Sequence, residues 1–148
     1  MVFAEVMNHT SYSDIYLRQI LTVTKTIALV GASSNAARPS HGVMRFLLAR
    51  GFKVTPINPG LAGQELLGQK VYGKLSEIDH AVDLIDVFRN SDQVSGLVDE
   101  ILALPHMPKT IWMQLGVVDH ASAARAEAKG IQVVMNRCPA IEIPRLGI

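Results

Sequence analysis

Cysteine, aromatic side chains, excess charge and long apolar runs are all scarce in this sequence, and each scarcity removes a class of protein. The single cysteine, Cys138, has no partner within the chain, so no internal disulfide holds the fold and a reducing, cytoplasmic setting is expected. Aromatic residues make up 5%, and Lys and Arg outnumber Asp and Glu by only 14 to 13. The broad positive field that nucleic acid or an anionic membrane would need is therefore missing, and neither partner is expected. No apolar stretch approaches the length of a membrane span, and the opening MVFAEVMNHTSYSD lacks the basic region and apolar core of a secretion signal. His9, His41, His80, His106 and His120 are scattered, with no spacing that would gather metal ligands.

Aliphatic residues, in contrast, are plentiful, and they recur in short runs. A chain of 148 residues is read as one domain able to bury roughly two-thirds of its unfolded surface. The stretch that organises it is TIALVGASS, Thr26 to Ser34, with RPSHGV following from Arg38. Ile27 to Val30 have no helical spacing and read as a buried parallel strand, whereas Val43, Phe46, Leu47 and Arg50 fall three and four apart, as in a helix. Between them lies a turn of Gly31, Ala32, Ser33 and Ser34. A small-residue turn before a helix start presents unpaired N–H groups and partial positive charge, and Ser33, Ser34, Ser40 and Arg38 add donors and a full charge. That describes an anion cradle, although the same turn can also close a βα unit that binds nothing.

Elsewhere the pattern repeats. Residues 1–10 read as a loose arm and Ser13 as the cap of a helix carrying Ile15, Leu17, Ile20 and Leu21, so residues 1–24 are set apart from a domain over 25–148. Strands are expected over 53–57, 81–88, 110–116 and 131–135, with a minor pairing at Val71 and Tyr72. Helices are expected from Ser91 to Pro105 and over 121–129, while the proline-bearing tail CPAIEIPRLG reads as an irregular strap that could also serve self-association. Alternating strands and helices imply an α/β, Rossmann-like, doubly wound parallel sheet in the nucleotide-binding strand order. Ligands of such sheets sit beyond the carboxyl ends of the strands, which here are 31–34, 58–60, 88–90, 114–117 and 136–138.

A nicotinamide dinucleotide fits these positions poorly. The GxGxxG fingerprint is absent after Gly31, and the second strand ends in Asn58 and Pro59 where an acidic residue would hold the ribose. Arg38, His41, Arg45 and Arg89 suit a ligand with several phosphates instead, though Arg89 could equally pair with Asp86 or Asp92 on the rim. Asp83 and Asp86 are expected on one side of their strand, for loop tethering rather than acid–base work. Cys138, beside Arg137, is either a buried small apolar residue or a thiol whose pKa the neighbouring cation lowers.

The run VGAS with RPS, then PINPG, DVFRN, WMQLGV and VMNRCPAIEIPRLG, resembles the small stand-alone coenzyme A-binding proteins, which are similar to the N-terminal domain of the succinyl-coenzyme A synthetase alpha subunit. The resemblance covers residues 13–148. It implies that Gly31, Ala32, Ser33, Arg38, Ser40 and His41 face the phosphates of coenzyme A and that Asn58 and Pro59 line its nucleotide side. Val87, Phe88 and Arg89 would flank the adenosine and phosphate region, and Gln114 with Gly116 would meet the pantetheine arm. The synthetase's phosphorylated histidine domain and ATP-grasp partner have no counterpart here, so the expectation is binding of coenzyme A or an acyl form, without catalytic residues or a metal. The alternative is an NAD(P)- or coenzyme A-dependent enzyme using His41 or Cys138; as a separate reading, exchange of the Cys138 thiol with coenzyme A disulfide would form a mixed disulfide and make the protein a redox-sensitive carrier.

Overall fold

The computed structural model describes residues 8–148, so most of the arm expected over residues 1–10 lies outside the described residues. Its described end is tied down, with His9 Nδ1 and Nε2 lying 2.7 Å from the Tyr12 hydroxyl and 2.8 Å from Glu127 Oε1. In chain order the strands are β1 (Thr26–Val30), β2 (Lys53–Ile57), the hairpin pair β3 (Glu65–Leu66) and β4 (Gln69–Lys70), β5 (Leu84–Val87), β6 (Thr110–Met113) and β7 (Gln132–Val134). The helices are α1 (Asp14–Val23), α2 (Pro39–Ala49), α3 (Val94–Leu102), α4 (His120–Glu127) and α5 (Pro139–Leu146).

Five strands form one parallel sheet in the order β2-β1-β5-β6-β7. Outside β2, Tyr72 adds a single parallel bridge to Ile57, its N–H bonding the Pro56 carbonyl at 3.1 Å. With Tyr72 counted as a vestigial third strand, the spatial order is 3-2-1-4-5-6, that of nucleotide-binding sheets, and the strand order reverses between β1 and β5. Pro56 is tolerated because β2 lies at the edge of the five-stranded sheet, where one side of the strand needs few donors.

Alternation along the strands builds two cores. Ile27, Leu29, Leu84, Trp112 and Val134 face α1, α2 and α5, while Val30, Ile85, Val87, Met113 and Val133 face α3 and α4. Each such side chain, withdrawn fully from water, contributes roughly 1.5–3 kcal/mol before the entropy of ordering it is counted.

Several local expectations change. Ser13 does cap α1, accepting the Tyr16 N–H, but Ile15 is 71% exposed and the buried side is Leu17, Ile20 and Leu21. Ser91 caps nothing: its hydroxyl accepts the Val118 N–H at 2.9 Å, and a short 3-10 turn over Ser91–Gln93 precedes α3. The tail is a helix, not a strap. Pro139 occupies the first helical position, where a missing N–H is harmless; Pro139, Glu142, Ile143 and Leu146 form the buried stripe, and Gly147 at φ 70° ends it. Pro144 removes only one intrahelical bond. Asp83 and Asp86 lie three residues apart, so they do not share a side: Asp83 accepts the N–H groups of Lys25 and Thr26 at the head of β1, and Asp86 lies inside the sheet.

Candidate functional site

The corner after β1 is shaped by a close approach. Gly31 has φ 94°, and a Cβ there would lie 2.2 Å from the Phe88 carbonyl oxygen. Its N–H and that of Ala32 donate to the Ile57 carbonyl at 3.0 and 3.2 Å, tying the ends of β1 and β2 together. These two amides are therefore spent, which corrects the expectation that the turn itself offers them to an anion. The available donors come later. The backbone N–H groups of Ser33, Ser34 and Ser40 have no protein acceptor among the described residues. Side chains order the loop between them, Ser33 Oγ accepting the Asn35 N–H at 3.0 Å and Asn35 Oδ1 accepting that of Ala37 at 2.9 Å. Arg38 follows at the cap of α2 and Pro39 at its first turn, so the helix begins with donors unpaired and its positive end toward the cleft.

A cavity of about 600 Å³ opens at this corner. Gly31, Ala32, Ser33, Arg38 and Ser40 form one wall, and Asn58, Phe88, Arg89 and Gln114 form the other. Beyond Arg89 a second cavity of about 820 Å³, which that residue also lines, runs over Val30, Ile57, Pro59, Leu75 and Leu97. His41, Val87 and Gly116 line neither. His41 keeps Nδ1 buried without a partner, Val87 is fully buried on the α3 side, and Gly116 at φ 81° gives its N–H to Asn136 Oδ1 at 2.8 Å. Pro39 and Val43 also line the smaller cavity. They were missed as site residues because helical spacing marks Val43 as core and says nothing about which end of α2 opens onto a cleft.

The two cavities differ in charge. The smaller has Arg38 and Arg89 in its walls and no acidic residue, whereas the larger sets Lys74 and Arg89 against Glu77, Asp92 and Glu100. Neither Arg38 nor Arg89 has an ion-pair partner among the described residues, so the rim pairing of Arg89 with Asp86 or Asp92 does not form. Two unpaired guanidinium groups beside free N–H donors give the smaller cavity the charge and the donors that an oxyanion would require. Asn58 is committed internally, donating to the Ala32 carbonyl at 2.7 Å and accepting the Gly60 N–H at 2.8 Å, so it clamps two turns together.

At the far end of this cavity stand Gln114 and Cys138. Burial pushes the Cys138 thiol up, and the N–H groups of Ala140 and Ile141 recover only part of the shift. Arg137 gives it no help: the guanidinium lies over the Tyr12 ring, 5.0 Å from its centroid, and donates to the Thr10 and Asn136 carbonyls. Of the two readings of Cys138, the structure therefore favours the buried, neutral thiol over the thiolate. Iodoacetamide is accordingly expected to alkylate Cys138 more slowly at pH 7.5 than an unstructured peptide cysteine, by mass spectrometry of the intact protein; equal rates would contradict a raised thiol.

The chain is similar to known proteins over most of its length. The CoA binding domain family matches residues 25–144. This chain belongs to that family. Uncharacterized protein YneT of Bacillus subtilis (strain 168) is 34% identical over 122 residues, covering 82% of this CoA-binding-domain chain and 87% of YneT. The solved structure of cell-free ID.343 from Thermus thermophilus matches with a TM-score of 0.85 at 36% identity, over 91% of this chain and 99% of that one. The apo form of the dinucleotide-forming acetyl-coenzyme A synthetase 1 of Ca. Korarchaeum cryptofilum matches at 29% identity and a TM-score of 0.62. There the match covers 74% of this chain and 25% of the synthetase, so the same domain is one part of a larger enzyme. No helix among the described residues is long and apolar enough to cross a membrane.

Proposed function

We propose that this protein binds coenzyme A, or an acyl form of it, at the strand ends where β1 and β5 diverge, and that it does so as a carrier without chemistry of its own. The observation that carries the reading is the acid-free cavity walled by two unpaired arginines and the start of α2. The pyrophosphate would lie against Ser33, Arg38, Ser40 and Arg89, the adenosine in the larger and more apolar cavity, and the pantetheine arm along Gln114 toward Cys138. The family assignment and the match to part of an acetyl-coenzyme A synthetase support the same ligand. A carrier is favoured because the cavity walls hold no carboxylate and no histidine to serve as a base for the Ser33 or Ser40 hydroxyl, His41 lying outside them, and the Cys138 thiol is neutral. The unpaired thiol also fits a reducing cytoplasm.

Thermal shift tests the ligand. At about a hundred times its dissociation constant, coenzyme A adds about 2.7 kcal/mol, a rise of roughly 5–10 °C for a chain of this size. NAD is expected to add little, because no acidic side chain waits at the end of β2 to hold its ribose, and Asn58 there is already committed. Stabilisation by NAD equal to that by coenzyme A would overturn the assignment. Arg38→Ala is expected to weaken coenzyme A by about 1.5–3 kcal/mol through loss of a charge-assisted contact, read by calorimetry. An unchanged affinity would place the phosphates elsewhere.

A further inference from the structure

Asp86 is 0% exposed, paired in register between Leu29 of β1 and Trp112 of β6. It faces the side of the sheet covered by α1, α2 and α5. Only one of its oxygens is used. Gln114 Nε2 donates to Oδ1 at 2.9 Å, and Oδ2 is enclosed without a partner. A carboxyl in this state costs stability, and a hydrophobic residue of similar size would pack there at less expense. Its consequence lies in Gln114, which is itself 4% exposed and lines the acid-free cavity.

A glutamine amide has two orientations of similar shape and opposite chemistry, one presenting a carbonyl and the other an NH2 group. An ionised carboxylate only accepts hydrogen bonds, so Asp86 draws the NH2 group to itself and leaves the Gln114 carbonyl for the cavity. We propose that Asp86 is a positioning residue, holding the Gln114 carbonyl as an acceptor for an amide N–H in the ligand's arm. The inference rests on the coenzyme A reading above. Amide N–H groups occur in the pantetheine arm and not in the nucleotide half, so this contact selects for the arm and leaves the phosphates to Arg38 and Arg89.

The test compares coenzyme A with adenosine 3′,5′-bisphosphate, its nucleotide without the arm and without the outer phosphate that carries the arm, by calorimetry at pH 8. Asp86→Leu and Gln114→Leu are each expected to weaken coenzyme A about tenfold and to leave the bisphosphate within about twofold, the size of one hydrogen bond lost. The double variant is expected to be no worse than either single one, because both remove the same contact. Asp86→Asn keeps an acceptor for Gln114 and is expected to retain coenzyme A within about threefold. Asp86→Ala carries the expectation of the leucine variant should that protein not fold. Equal losses for both ligands in Asp86→Leu, no loss for either, or additive losses in the double variant would overturn the positioning role while leaving the binding reading intact. Failure of the wild-type protein to bind either ligand would remove the binding reading and this inference together.

Discussion

Asp86→Asn is expected to raise the melting temperature at pH 8 and to change it little at pH 4. Burial holds the folded carboxyl at about 7 against its ordinary 3.8, with the Gln114 bond lowering it only in part. Between those values the unfolded chain has released the proton while the folded chain still holds it, so stability falls as pH rises through the window. Below 4 both states are protonated and the penalty vanishes; above about 7 it is complete. The difference amounts to about 4 kcal/mol, from 1.36 kcal/mol for each pH unit separating the two values. For a chain of this size that corresponds to roughly 10 °C. The uncharged asparagine has no such dependence. Calorimetric melting of both proteins at pH 4, 6 and 8 is the check, and a difference that does not widen with pH would show that Asp86 titrates as an exposed carboxyl. A widening difference would show that the carboxylate accepting the Gln114 NH2 group is held at a cost to the sheet.

How much of this was legible in the sequence depends on whether a feature is local. Ile27 to Val30 announce a buried strand because four apolar residues next to a glycine have few other uses, and Lys53–Ile57 does so through β-branched Val54, Thr55 and Ile57 set between Gly51 and the Asn58-Pro59-Gly60 turn. Strand ends were read too generously at 81–88 and 110–116, where the ladder closes at Leu84–Val87 and Thr110–Met113. A strand stops where its neighbours stop, and that is written in other segments. Pro144 was misleading because a proline usually ends a helix, yet the stripe of Pro139, Glu142, Ile143 and Leu146 buries enough surface to outweigh one missing bond. Strand-end logic brought Phe88, Arg89, Gln114 and Cys138 into one cavity, since the topology alone places those positions side by side. It could not tell that the amides of Gly31 and Ala32 are consumed by Ile57, because the acceptor lies some distance along the chain. Nor could it place the Arg137 guanidinium, which turns to Tyr12 and away from its neighbour Cys138.

Gly31→Ala is expected to be the most damaging small substitution in the protein. Two costs combine. An L-residue at φ 94° is strained by roughly 1–2 kcal/mol, and the new methyl group would sit 2.2 Å from the Phe88 carbonyl oxygen and 2.9 Å from its carbon. That wall does not yield easily, because it is backbone held in the sheet: the Phe88 N–H donates to the Val30 carbonyl at 2.8 Å, and Val30 pairs with Val87. Opening a gap means parting β1 from β5 at the point where both cavities meet, so a loss of stability above about 3 kcal/mol and a loss of coenzyme A binding are expected together. Gly51→Ala supplies the control. Gly51 has φ 93° but nothing within 4 Å of its would-be Cβ, so it carries the conformational cost alone, the same roughly 1–2 kcal/mol, and leaves ligand affinity unchanged. Gly42→Ala, inside α2 with open space around it, is expected to stabilise by about 0.5–1 kcal/mol through helix propensity. Urea melts of the three variants separate strain from collision. If Gly31→Ala costs no more than Gly51→Ala, the Phe88 carbonyl is a movable neighbour, and the corner that should hold the phosphates is too soft to have been built around it.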